Sequence, residues 1–295
     1  MTLRDQLRNL PGAQAVAHRV RSTVMALQPL PSPHYTAGTP RIGSDHPLEP
    51  FLPLNPATLA AGAMSEEAAA FVVELIDKLS PDENMPMQQL FFRFSRQKYG
   101  KHWRYADLHT ALVAASMLIR PVSYLEIGVF KGRSSAIVAA TNPECDIYGF
   151  DLWQREYGAL TYPGPDFVRG ELARVGHKGK LELVPGDSHT TVPAFLRSHP
   201  DLYFDMITVD GDHSVGGAAA DLATVMPRLK VGGVLLFDDL LNPPALQRVW
   251  DRLVKRDGRY LTWEFAEAGT GIAAAIRVSD QPRSPDEGWS FKLYE

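Results

Sequence analysis

From residue 121 onward, short apolar runs alternate with stretches of helical periodicity, without interruption. The runs are Ser123-Tyr124-Leu125-Glu126-Ile127-Gly128, Asp146-Ile147-Tyr148-Gly149-Phe150, Leu181-Glu182-Leu183-Val184, Phe204-Asp205-Met206-Ile207-Thr208 and Gly233-Val234-Leu235-Leu236. Each is too short for a helix and apolar enough to be a strand covered on both faces. Helical spacing between and after them predicts helices near 132–141, 165–175, 190–198, 215–229 and 243–257. Two further strand-like runs, Tyr260 to Phe265 and Gly271 to Val278, are separated by little more than Gly269-Thr270-Gly271, short enough for an antiparallel hairpin. The pattern predicts an α/β protein with a doubly wound, seven-stranded sheet, mostly parallel and closed by a C-terminal antiparallel hairpin.

Upstream the pattern changes. Residues 1–27 are compatible with a helix broken at Pro11-Gly12, and prolines at 29, 31, 33, 40, 47, 50, 53 and 56 make the next segment an extended arm. Ser65 reads as an N-cap, followed by Glu66 and Glu67 and then Phe71, Val72, Leu75, Ile76 and Leu79 on one helical face. Residues 86–104 are rich in aromatic and basic groups, suiting either a helix packed on the main domain or a wall against a substrate, and Ala106 to Ile119 is a further apolar helix. The expected organisation is an N-terminal helix and proline-rich arm over 1–60, a helical lid or substrate region over 61–120 and the α/β domain over 121–295.

Charge and composition narrow the class. Net charge is −4, without the basic excess of a nucleic-acid binder. No run of about 18 apolar residues predicts a membrane span. The N-terminus has no apolar signal region, and Cys145 is the only cysteine, so a reducing, cytoplasmic setting is the expectation. An extended arm is a segment that subunits can exchange, which leaves a homo-oligomer open.

The chemistry concentrates where predicted strands end. Val209-Asp210-Gly211-Asp212-His213 follows one strand and Phe237-Asp238-Asp239 the next. If those strands are parallel neighbours, their ends lie roughly 5 Å apart. Four carboxylates then share one crevice, a costly arrangement unless a cation or shifted pKa values compensate. The first strand runs into Glu126-Ile127-Gly128-Val129-Phe130-Lys131-Gly132-Arg133-Ser134-Ser135. Gly128 permits a tight turn, Gly132 lets a helix start against the sheet, and the amides there favour a carboxylate. The Gly-x-Gly-x-x-Gly of dinucleotide binders is absent. Asp151, 23 residues beyond Gly128, ends the second strand and suits ribose hydroxyls, while Gly186-Asp187-Ser188 ends the third and can meet an adenine edge.

Over about residues 121–278 these segments resemble the class I S-adenosylmethionine-dependent methyltransferases, whose fold is Rossmann-like. The resemblance implies that Glu126, Gly128, Gly132 and Ser134 form the methionine-end loop, that Asp151 holds the ribose, that Gly186, Asp187 and Ser188 meet the adenine and that Asp210 borders the cofactor. Asp-x-Asp followed by Asp-Asp is similar to the metal-dependent sugar O-methyltransferases of natural-product biosynthesis. Carried over, Asp210, Asp238 and Asp239 are Mg²⁺ ligands and Asp212 is the base, with the adjoining His213 as rival. The implied activity is methyl transfer from S-adenosylmethionine to a hydroxyl of a sugar or polyketide-like acceptor. Trp153, Tyr157, Tyr162 and Phe167 could stack on that acceptor. A diverged cephalosporin-hydroxylase-like enzyme and a non-catalytic S-adenosylmethionine-binding protein are the alternatives. Caps for the following helices are a further alternative role for Asp212, Asp238 and Asp239.

Overall fold

The computed structural model describes residues 54–82, 84–154, 156–157, 160–161 and 163–280. The expectations for residues 1–53 and for Tyr162 fall outside them. Among the described residues, four helices precede the sheet: α1 (Pro56–Ala63), α2 (Glu66–Ile76), α3 (Met85–Tyr99) and α4 (Leu108–Ile119). Ser65 caps α2 by accepting the Ala68 N–H at 3.0 Å. Asp107 and Thr110 form a reciprocal capping box at α4. The first helix was not foreseen. Pro56 occupies its first turn, where a missing N–H costs nothing, and Asn55 accepts the Thr58 N–H at 2.9 Å.

The alternation then follows: β1 (Ser123–Ile127), α5 (Arg133–Thr141), β2 (Asp146–Asp151), a short antiparallel pair β3 (Glu156–Tyr157) and β4 (Leu160–Thr161), α6 (Pro165–Arg174), β5 (Leu181–Pro185), α7 (Ser188–Ser198), β6 (Phe204–Val209), α8 (Val215–Val225), β7 (Leu229–Phe237), α9 (Ala245–Trp250), β8 (Tyr260–Phe265) and β9 (Ile272–Arg277). A π-helical turn, Asp251–Lys255, continues α9. The seven-stranded sheet has the order β5-β2-β1-β6-β7-β9-β8. Its first five members are parallel, and β9 pairs antiparallel with both β7 and β8. The hairpin is therefore present, but its second strand docks inside its first. Ala273, Ala274 and Ala275 make this inner position possible, because all six residues of β9 are buried.

Strand side chains alternate between two apolar layers. Tyr124, Val234, Leu236 and Ala274 face a layer with Leu59, Val72, Leu112, Ile137 and Leu172, drawn from α1, α2, α4, α5 and α6. Leu125, Ile127, Leu235 and Phe237 face the other, with Phe195, Leu222, Val225 and Trp250 from α7, α8 and α9. The N-terminal helices thus share the core of the α/β domain. Among the described residues no helix is long and apolar enough to cross a membrane.

Candidate active site

Register aligns the strand ends on one edge of the sheet. Ile127 pairs with Phe150 and Val209, Val209 with Phe237, and Asp151 with Pro185. Ladder bonds continue one residue past the strands. The Gly128 N–H donates to Phe150 O at 2.8 Å, the Asp210 N–H to Ile127 O at 2.9 Å, the Asp238 N–H to Val209 O at 3.1 Å and the Gly186 N–H to Asp151 O at 2.8 Å. The predicted loop, acids and turn therefore line a single crevice, where α/β sheets bind ligands.

At its acidic end, one ligand atom each of Asp210, His213 and Asp239 lies within 4.8 Å of the others. His213 Nε2 is 3.2 Å from Asp239 Oδ2 and 3.6 Å from Asp210 Oδ1. Burial, reinforced by the charge of Asp239, pushes the Asp210 carboxyl above its usual range against the pull of His213. Burial and then the charges of Asp210 and Asp239 push Asp238 up further. The imidazole of His213 is raised chiefly by its bond to Asp210. Asp238 and Asp239 do not cap the next helix: α9 starts after Pro244 with no side-chain cap. Instead their loop is braced by the hairpin, the Leu240 N–H donating to Gly271 O at 3.2 Å and the Leu241 N–H to Thr270 O at 2.7 Å.

Asp212 stands apart from this cluster. Its Oδ1 accepts the Ser214 N–H at 2.7 Å, and its Oδ2 lies 3.9 Å from His189 Nε2. Ser214, not Asp212, caps α8, accepting the Gly217 N–H at 3.0 Å. His189 also lies 3.6 Å from the buried Asp221 and 3.5 Å from Asp187.

At the other end, Glu126 is fully buried beneath the glycine loop and accepts hydrogen bonds from Ser134 Oγ and Ser135 Oγ. Burial raises its carboxyl to about 8. Asp151 is buried as well. It accepts the Phe130 N–H and the Trp153 N–H, both at 2.7 Å, and so ties the loop to the end of β2. Trp153 packs inward, its Nε1–H donating to Phe130 O at 3.1 Å. Phe167 is half-buried at the start of α6. Asp187 accepts the His189 N–H at 2.9 Å and caps α7, with Gly186 and Ser188 on either side.

Three residues not expected at the site come from the segment that leads into and begins α4. The charge of His109 bears on Asp210, that of Asp107 on Asp238, and that of Asp238 on the hydroxyl of Tyr105. Tyr105 stacks on Trp103 at 5.8 Å and meets Phe91 at 4.8 Å and Phe265 at 5.7 Å, forming an aromatic wall at the acidic end.

A family model described as a methyltransferase domain matches residues 125–240. No curated protein matches the chain. Among solved structures, the chain is similar to the O-methyltransferase from Bacillus cereus in complex with S-adenosylhomocysteine (15% identity, 72% of this chain and 100% of that one, TM-score 0.46). It is also similar to the O-methyltransferase TomG of tomaymycin synthesis from Streptomyces achromogenes (17%, 76% and 97%, TM-score 0.44). A third is the TDP-rhamnose 3′-O-methyltransferase of calicheamicin biosynthesis (22%, 72% and 94%, TM-score 0.45). The family match spans the glycine loop, Asp151, Asp187, Asp210 and the Asp238-Asp239 pair, all of which meet on one sheet edge. Residues 125–240, which carry the glycine loop and the strand-end acids of the crevice, are thus similar to a methyltransferase domain.

Proposed function

We propose that the chain moves the methyl group of S-adenosylmethionine to a hydroxyl of a small sugar or polyketide-like acceptor, with Mg²⁺ as cofactor. The observation that carries this reading is the convergence of Asp210, His213 and Asp239 within 4.8 Å beside the glycine loop. The donor set fits a hard divalent cation. Oxygen ligands suit Mg²⁺, and buried carboxylates whose charges repel one another are stabilised by it. Asp210, Asp238 and Asp239 would hold the ion. Bound there, it supplies a Lewis acid that makes an acceptor hydroxyl easier to deprotonate.

The chain's own residues do the rest. Gly128, Gly132 and Ser134 form the turn that receives the methionine end of the donor, with Glu126 supporting it from below. Asp151 faces the ribose, and Gly186, Asp187 and Ser188 face the adenine. His213, the most exposed member of the cluster at 41%, accepts the hydroxyl proton at Nε2. The oxygen attacks the methyl carbon as its bond to sulfur breaks, leaving S-adenosylhomocysteine, and alignment supplies much of the rate. His213 is chosen over Asp212 because Asp212 is turned towards Ser214 and His189.

The test pairs two variants. His213→Gln lowers kcat by about 10²–10⁴-fold and removes the rise of activity with pH that marks imidazole deprotonation. Asp212→Asn keeps most of the turnover. The reverse ranking restores Asp212 as base. Full turnover of labelled methyl in excess chelator refutes the cation, and no transfer to any hydroxyl acceptor refutes the reaction.

A further inference from the structure

The glycine loop is a demanding piece of backbone. Gly128, Phe130 and Gly132 have φ of 90°, 50° and 78°. Phe130 is not a glycine, and a side-chain-bearing residue keeps a left-handed conformation only where its surroundings hold it. On one side the hold comes from β2, through the bonds of Asp151 and Trp153 to Phe130.

On the other side it comes from the N-terminal helices. Asp82, in the connection between α2 and α3, accepts a hydrogen bond from Arg133 Nη2 through Oδ2, and Lys131 Nζ lies 3.8 Å from the same oxygen. Arg133 Nη1 also donates to Gln88 Oε1 at 3.0 Å. These groups are withdrawn from water: the side chains of Lys131, Asp82 and Arg133 are 4%, 7% and 15% exposed. Burial would push the Asp82 carboxyl up, but Arg133 and two backbone N–H groups more than offset this and hold it below the usual range. The other oxygen, Oδ1, accepts the Asn84 N–H at 2.8 Å and the Met85 N–H at 3.0 Å at the start of α3. One carboxylate thus starts the helix that carries Phe91 and neutralises cations flanking Gly132.

We propose that Asp82 is a positioning residue for the methyl donor: through Lys131 and Arg133 it holds the glycine loop in its donor-receiving shape, setting donor affinity without entering the chemical step. The proposal rests on the reading of that loop as the donor's seat. Uncompensated buried cations are unfavourable. Without the charge of Asp82, Arg133 loses its carboxylate partner, turns out towards water and draws the end of the loop with it.

Asp82→Asn separates the two roles of this side chain, because asparagine still accepts the helix-start N–H groups while its charge is gone. The expected result is a Kd for S-adenosylhomocysteine and a KM for S-adenosylmethionine raised about tenfold, about 1.4 kcal/mol, with kcat at saturating donor within about twofold of wild type. In the unliganded protein, amides of residues 128–134 exchange hydrogen faster while those of β6 and β7 do not. Donor affinity within twofold of wild type, or unaltered loop exchange, overturns the proposal and leaves Asp82 a helix cap, even if the melting temperature falls. A wild-type protein that binds no donor overturns the reading of the seat instead. The exchange comparison on unliganded protein then still decides whether Asp82 clamps the loop.

Discussion

Gly128→Ala tests the claim that the glycine loop and the acidic cluster are one construction. A Cβ built on Gly128 lies 1.8 Å from the carbonyl oxygen of Asp210 and 2.4 Å from its carbon. The obstacle is backbone, so no rotamer change relieves it, and the ends of β1 and β6 must part. Alanine at φ of 90° adds about 1–2 kcal/mol of backbone strain. Overpacking adds about 1–3 kcal/mol, and weakening the Asp210 N–H bond to Ile127 O about 1 kcal/mol. The sum is about 4 kcal/mol, a fall in Tm of about 10 °C for a domain of this size. Thermal melting measures it, and calorimetric titration with Mg²⁺ and with S-adenosylhomocysteine follows the site. Both affinities fall together, because the residue displaced by the loop is Asp210. Gly216→Ala is the control, since a Cβ there meets nothing within 4 Å and the residue lies in α8. It leaves Tm unchanged or raises it by a few degrees. A Gly128→Ala protein that melts within about 3 °C of wild type and still binds both ligands would falsify the close approach of the two strand ends.

Two further outcomes follow from buried charge. Glu126 has its carboxyl raised to about 8 by burial, so its contribution to stability is complete below the unfolded value near 4.5 and is lost as pH rises towards 8. Glu126→Gln removes that slope: melting curves from pH 5 to pH 9 show the variant gaining on wild type steadily, by about 1.4 kcal/mol per pH unit, up to about pH 8 and no further above it, and parallel curves would contradict a neutral buried carboxyl. Lys230, buried near the amino end of β7, donates to Asp205 Oδ1 at 2.9 Å and Ser123 Oγ at 3.2 Å, while Asp205 Oδ2 also accepts the N–H groups of Val122 and Ser123 at 3.0 Å. Lys230→Met strands that carboxylate and costs about 3 kcal/mol in urea unfolding. Far from the crevice, it leaves donor affinity as it was.

The fold was legible where one strand's apolar run sufficed to define it, and less so where two elements had to choose each other. Runs covered on both faces, such as Phe204–Val209, announce themselves. That β9 docks between β7 and β8 does not, because a hairpin sequence carries no signal for which of its strands faces the sheet. The alanines of β9 were the available clue, as small residues suit a strand packed on both sides. The aromatic wall shows the same limit. Asp107 and Thr110 form a local capping box. Nothing within that window tells that the segment also brings Tyr105 and His109 to acids a hundred residues away.

The choice between Asp212 and His213 turns on one residue step after β6, and here a signal was present in the sequence. A Cβ on Gly217 would fall 1.9 Å from Asp212 Oδ2. Only a glycine leaves room at that point of α8 for the Asp212 carboxylate to fold down over the helix start, where its other oxygen takes the Ser214 N–H. Gly216-Gly217, one residue beyond His213-Ser214, is therefore readable as a socket for a neighbouring side chain rather than as a weak helix. With Asp212 seated, the chain turns so that His213 emerges at the crevice, 3.2 Å from Asp239. Gly217→Ala then gives an outcome that neither residue's own substitution provides. Asp212 is forced out of its socket, its bond to the Ser214 N–H is broken, and the position of His213 is disturbed without altering its chemistry. Turnover falls with His213 intact, and a second substitution, Asp212→Ala, restores much of it by clearing the collision. If the double variant is no better than Gly217→Ala alone, the socket does not orient His213.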